Sequence, residues 1–201
     1  MPEFFDNQVF GVRRLGSNDG GKTIMSDLAL PSKKSVATLQ VDVLDTKFQL
    51  LRALNLPFVY PVKAQILDAN DRPVASMEKP FSLSEYKVTI QDRSRRVCGL
   101  VTRSVTDTGV DKGTFDYRIV DPTDQAFIAI IRGNWRKAGM MQVVDERGAT
   151  IGKVSRTDNA MGSSAVSDPK FHVVNCYAPP QSGTQRLALM ATAAALDVLV
   201  D

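Results

Sequence analysis

Apolar and polar residues alternate along most of the chain, in bursts separated by turn residues. Four bursts share one pattern of alternating apolar positions, an aspartate, a short polar turn and a second apolar run. They are Lys63 to Asp68 leading to Val74, Lys87 to Asp92 leading to Val97 and Cys98, Asp116 to Asp121 leading to Phe127, and Met141 to Asp145 leading to Ile151. A period of two marks a strand with one face buried. Aspartate suits the first turn position because its carboxylate accepts a backbone N–H two residues on. Each copy therefore predicts a β-hairpin, and the aspartates recur at intervals of 24, 29 and 24 residues. An earlier hairpin is predicted over Val9 to Met25, turning at Asn18 to Gly21, and a weaker sixth starts at Leu39 to Asp45. Six hairpins amount to about twelve strands. Pro57, Pro61, Pro80 and Pro122 fall at strand starts or turns, where a missing N–H is harmless.

So many antiparallel strands must manage their edges, by closing into a barrel or by stacking as a sandwich. The C-terminal stretch favours the barrel. After Pro179 and Pro180, Ser182 to Gln185 has the form of a capping box, with Ser182 as N-cap and Gln185 three residues on. A helix is predicted over Thr184 to Val200, rich in alanine and apolar on nearly every face. Such a helix must be surrounded by protein or by lipid. A membrane span needs roughly 20 apolar residues; this run is shorter and contains Asp197. Burial inside a barrel is the expectation, with no transmembrane span. The fold class expected is thus mainly β: a closed antiparallel barrel of about twelve strands enclosing a C-terminal hydrophobic helix, as one domain over residues 1–201.

Composition narrows the function. With 201 residues, 43% hydrophobic and 23% charged, the chain can bury a substantial core. A net charge of +3 is too small to announce a nucleic-acid binder, so no nucleic-acid partner is expected. Two cysteines, Cys98 and Cys176, and a single histidine, His172, cannot build a zinc cage. The first residues carry acids and lack a basic, then apolar, leader pattern, so a reduced cytoplasmic protein is expected.

The order of these features resembles the phospholipid scramblase, LURP-one-related and tubby-like family. Pro57 and Phe58 through Ile66 to Asp68 and on to Pro80 resemble the early barrel strands of scramblases. Ile151 to Arg156 resembles the strand before their acidic loop, and Leu187 to Val200 their terminal helix. The resemblance implies a twelve-stranded barrel around a hydrophobic helix. It also implies a calcium segment, where two close acids precede a phenylalanine. Here Ser167 to Phe171 supplies only Asp168, with Lys170 in the second acidic place. Calcium takes six to eight oxygens and a lysine opposes it, so Asp168 is a weak calcium candidate and no cofactor is expected. The cysteine-rich and proline-rich arms of animal scramblases are missing.

Two basic clusters remain. Arg132, Arg136 and Lys137 surround Trp135, a combination that suits a membrane interface, where the ring settles among headgroups and the cations attract phosphate. The competing reading packs Trp135 over the barrel end. Arg93, Arg95 and Arg96 form the second cluster, in the turn after Asp92. Enzymatic readings fail: His172 has no nucleophile motif beside it, and Gly16 to Thr23 matches a phosphate-loop spacing without the strand–loop–helix context. The expectation is a non-enzymatic module binding anionic phospholipid or phosphoinositide headgroups, peripheral at a membrane. The alternatives are a scaffold for a protein partner and a calcium-independent scramblase.

Overall fold

A computed structural model describes residues 8–18, 23–32, 34–42, 61–82, 85–105, 114–156, 171–180 and 182–196. Twelve strands follow in order: β1 (Val9–Asn18), β2 (Thr23–Ala29), β3 (Ser35–Asp42), β4 (Val62–Asp68), β5 (Pro73–Lys79) and β6 (Lys87–Asp92). Then come β7 (Val97–Val105), β8 (Phe115–Val120), β9 (Phe127–Asn134), β10 (Met140–Val144), β11 (Thr150–Ser155) and β12 (Phe171–Cys176). A short helix α1 (Trp135–Ala138) joins β9 to β10, and α2 (Gly183–Ala194) follows β12. Every strand pairs antiparallel with its sequence neighbours, and β1 pairs with β12 to close the barrel. Closure leaves no free edge among the described strands.

Alternation decides which side chains fill the barrel. In β3, Ala37, Leu39 and Val41 point inward; in β4, Val62, Ala64 and Ile66 do so. They belong to one core cluster with the C-terminal helix, where every side chain from Leu187 to Leu196 is buried. The helix is thin because its centre is alanine, and it touches β5, β6, β7, β9 and β12. At Gly99 the fit is closest: a Cβ there would lie 2.6 Å from the Ala188 Cβ. No helix among the described residues is long and apolar enough to cross a membrane.

Ser182 is the N-cap residue but makes no side-chain cap bond; its hydroxyl instead pairs with the Thr184 hydroxyl at 3.0 Å, so the capping box does not form. Residues 197–201, with Asp197, lie outside the described residues, as do residues 43–60, with Pro57 and Phe58, and residues 157–170, which take in the calcium segment Ser167 to Phe171 except Phe171 itself. Gly16 lies in β1 and Thr23 opens β2, antiparallel strands, so the phosphate-loop spacing belongs to a hairpin.

Three of the four aspartate hairpins share one turn. Asp68 accepts the N–H groups of Asn70 and Arg72 at 2.8 and 3.0 Å. Asp92 accepts those of Ser94 and Arg96 at 2.8 and 3.0 Å, and Asp145 those of Arg147 and Ala149 at 2.9 and 2.8 Å. Each turn then passes through a left-handed residue, Asp71 (φ 58°), Arg95 (φ 60°) or Gly148 (φ 79°), and shifts register by one. That is a three-residue hairpin ending in a bulge. The β8–β9 turn is one residue longer: Asp121 accepts the Thr123 N–H, Asp124 accepts that of Ala126, and Gln125 is left-handed.

These turns expose an internal duplication. Asp68 and Asp92 reappear as Asp121 and Asp145, each displaced by 53 residues. The four-stranded unit β4–β7 is repeated as β8–β11, and Ile90 opposite Gly99 corresponds to Val143 opposite Gly152.

Candidate functional site

All four aspartate turns lie at one end of the barrel, where α2 enters. Between the β4–β5 turn, the β6–β7 turn and the first turn of α2 is an open cavity of about 550 Å³. Arg72, Arg93, Ser94 and Arg96 line it together with Asp68, Asp92, Gly183 and Thr184. Arg72 reaches back to Asp68 through Nε at 2.9 Å and Nη2 at 2.8 Å. Arg96 repeats the arrangement on Asp92 at 3.1 and 2.9 Å. The aspartates hold the two guanidinium forks in place, and both remain more than half exposed. Hydrogen bonds from Arg72, then the Arg72 and Asn70 backbone N–H groups, keep the Asp68 carboxyl below its ordinary pKa. At Asp92, burial pushes the other way, but the bonds from Arg96 and Ser94 outweigh it and the net shift is downward.

Arg93 and Arg95 are exposed and make no ion pair with the described residues. Arg93 faces the cavity, while Arg95 borders a groove on the outer wall. The first turn of α2 carries no acid, and Ser182 leaves its first N–H groups uncapped by a side chain. Helix N-terminal N–H groups and arginines both favour an anion.

The cluster around Trp135 fares differently. Trp135 is 1% exposed, with its ring edge-on to His172 at 5.5 Å and the Arg156 guanidinium 4.8 Å above it. It is a core residue at the opposite end of the barrel and is not available to headgroups. The placement of Trp135 at a membrane interface is thereby corrected: an indole ring of this size is worth more in the core than in water. Arg132 is also not a free cation. Its Nε and Nη2 form a fork on the buried Asp116 of the neighbouring strand, at 2.9 and 2.6 Å, and this bonding raises the Arg132 pKa. Arg136 and Lys137 occupy the middle of α1, and their side chains, like Asp168, lie outside the described residues.

Other reactive groups are enclosed. Cys98 and Cys176 are free and buried, and burial pushes their pKa values up to about 12 and about 11, so both stay as thiols. Lys79 points into the barrel above the Tyr86 ring, 5.4 Å away. Burial, with the nearby Arg103, pushes its pKa down to about 8. No group of three metal-ligating side chains occurs among the described residues.

Sequence reasoning missed Arg72, which stands alone between turn residues. Its signal was its place four residues after an aspartate, the same as that of Arg96. Comparison of the chain with protein-family models, curated proteins and solved structures gives no match.

Proposed function

We propose that this chain is a non-enzymatic binding module, akin to the scramblase-related and tubby-like barrels, that engages anionic phospholipid headgroups. The contact surface is the basic barrel end around Arg72, Arg93 and Arg96. One observation carries the reading. The turn geometry does not need these arginines, because Asp145 builds the same turn with Ala149 in the place held by Arg72 and Arg96. An exposed arginine–aspartate pair adds little stability, typically below about 1 kcal/mol. Three arginines gathered around an open cavity therefore need a reason other than folding. Attraction of lipid phosphate supplies one: Arg93 brings an uncompensated charge, worth about 1 kcal/mol near an anionic surface, and Arg72 and Arg96 add guanidinium N–H donors that their aspartates do not use up.

Flotation on phosphatidylcholine vesicles with and without phosphatidylserine or phosphoinositide tests this. Enrichment on the anionic vesicles is expected, falling by about tenfold or more in R93E/R96E and weakening as salt rises. A protein that ignores vesicle charge, or a double variant that floats like the parent, would sink the proposal and leave a protein-interaction scaffold.

A further inference from the structure

The duplication singles out a second place, on the outer wall. In the β7–β10 wall one outward rung consists of Thr102, Arg118, Ile130 and Val144, direct cross-strand neighbours. Its β9–β10 end is closed over, with Ile130 half-buried and Val144 5% exposed, while Thr102 and Arg118 are exposed and the Arg118 guanidinium lies 5.6 Å above the Phe127 ring. The equivalent rung of β3–β6 is Gln40, Gln65, Ser76 and Gln91, again in direct register. These four border an open groove of about 470 Å³. The Lys63–Glu78 ion pair, at 3.6 Å, and Asp42 flank one side, and Arg95 flanks the other.

We infer that this groove binds a neutral, hydroxyl-rich ligand, an oligosaccharide. The fold accepts Thr102, Arg118, Ile130 and Val144 at the places held by Gln40, Gln65, Ser76 and Gln91, so amides are not a folding requirement there. Glutamine is also no natural choice for a strand, where β-branched residues fit better. Each primary amide offers two donors and an acceptor, and a sugar hydroxyl both donates and accepts. The row places such groups about 4.8 Å apart across four strands. Lys63 and Glu78 neutralise each other, so the floor gives a phosphate or carboxylate no advantage. A peptide is disfavoured on two counts. The closed barrel offers no strand edge for pairing here, and the apolar neighbours Ala64 and Met77 turn into the core, leaving no pocket for an anchoring side chain.

The test is an NMR titration of the full-length 15N-labelled chain, reading the side-chain amide resonances of Gln40, Gln65 and Gln91. The probes are maltohexaose, cellohexaose, mannohexaose and chitohexaose. At least one should move all three sets of resonances saturably at millimolar concentration. S76I/Q91V, which installs the residues of the closed end of that rung, should remain folded and lose the response. R93E, which disables the proposed headgroup site, should keep it, so the two readings fail separately. The inference is overturned if none of the four sugars moves these resonances, if the shifts fall elsewhere on the barrel, or if folded S76I/Q91V responds like the parent.

Discussion

Units β4–β7 and β8–β11 place the same backbone on adjoining thirds of one barrel and dress it differently. Both hairpin tips of the first unit carry arginine four residues after the aspartate; in the second unit the matching tip of Asp145 carries alanine. On the outer wall, the first unit shows Ser76 and Gln91 where the second shows Ile130 and Val144. What the units share is what the fold demands: the aspartate, a left-handed residue late in the turn and the inward apolar stripe. What differs is free to serve something else. A duplicated unit thus acts as its own control, separating folding residues from functional candidates without any second sequence.

The largest effect expected from breaking this equivalence falls on the two matched glycines. A Cβ at Gly99 would meet the Ala188 Cβ of α2 at 2.6 Å, whereas one at Gly152 would meet the Asn175 carbonyl oxygen in β12 at 2.7 Å. Gly99→Ala and Gly152→Ala should each cost roughly 1–3 kcal/mol through overpacking. They should differ in what rescues them. Ala188→Gly removes the atom that Gly99→Ala strikes and should recover much of its loss in a double-mutant cycle; it should do nothing for Gly152→Ala. Urea denaturation of the three single and two double variants measures both. Equal rescue of the two would mean that α2 does not press on β7 as described.

A smaller effect separates the aspartate turns. Asp92→Ala and Asp145→Ala each remove an acceptor of two backbone N–H groups, costing about 1–2 kcal/mol. Asp92→Ala also strands Arg96, an exposed group, so the excess over Asp145→Ala should be no more than about 0.5 kcal/mol. The pH dependence has a definite sign. Asp68 and Asp92 have folded pKa values below the ordinary 3.8. Their contribution is therefore complete above that value, where both states are ionised, and is lost as pH falls through the depressed folded values. Replacing Arg72 and Arg96 with alanine should flatten the acid limb of the melting curve. An unchanged acid limb would show that the backbone N–H bonds alone lower these carboxyls.

The barrel was legible in the sequence because its signals are local. Period-two alternation and the spaced aspartates marked eight of the strands, and an apolar helix with alanine at its centre required a wall around it. The sites were less legible because charge is read in pairs across space. Arg132 looked free because Asp116 is distant in sequence, though it is adjacent across β8 and β9. Trp135 among cations looked like an interface residue because nothing local says that α1 turns its first side chain inward. The glutamine rung draws one residue from each of four strands, so no window of sequence contains it. Ser182 matched a capping box, yet its hydroxyl found Thr184 closer to hand.

The smallest expected effect concerns the left-handed residue of each turn. It is glycine at 148, but arginine at 95 with φ near 60°. A side chain in that conformation costs roughly 1–2 kcal/mol, while glycine gives back about 0.5–1 kcal/mol through the freedom of its unfolded chain. Arg95→Gly should then stabilise the protein by about 0.5 kcal/mol, and Gly148→Ala should destabilise it by about 1 kcal/mol. Both are read as shifts in denaturation midpoint at constant slope. A gain on removing Arg95 would mean that the β6–β7 turn holds a residue against its own stability, as expected where the side chain has work outside the fold. If Arg95→Gly is neutral or harmful instead, the arginine earns its place by local packing, and its position beside the groove is incidental.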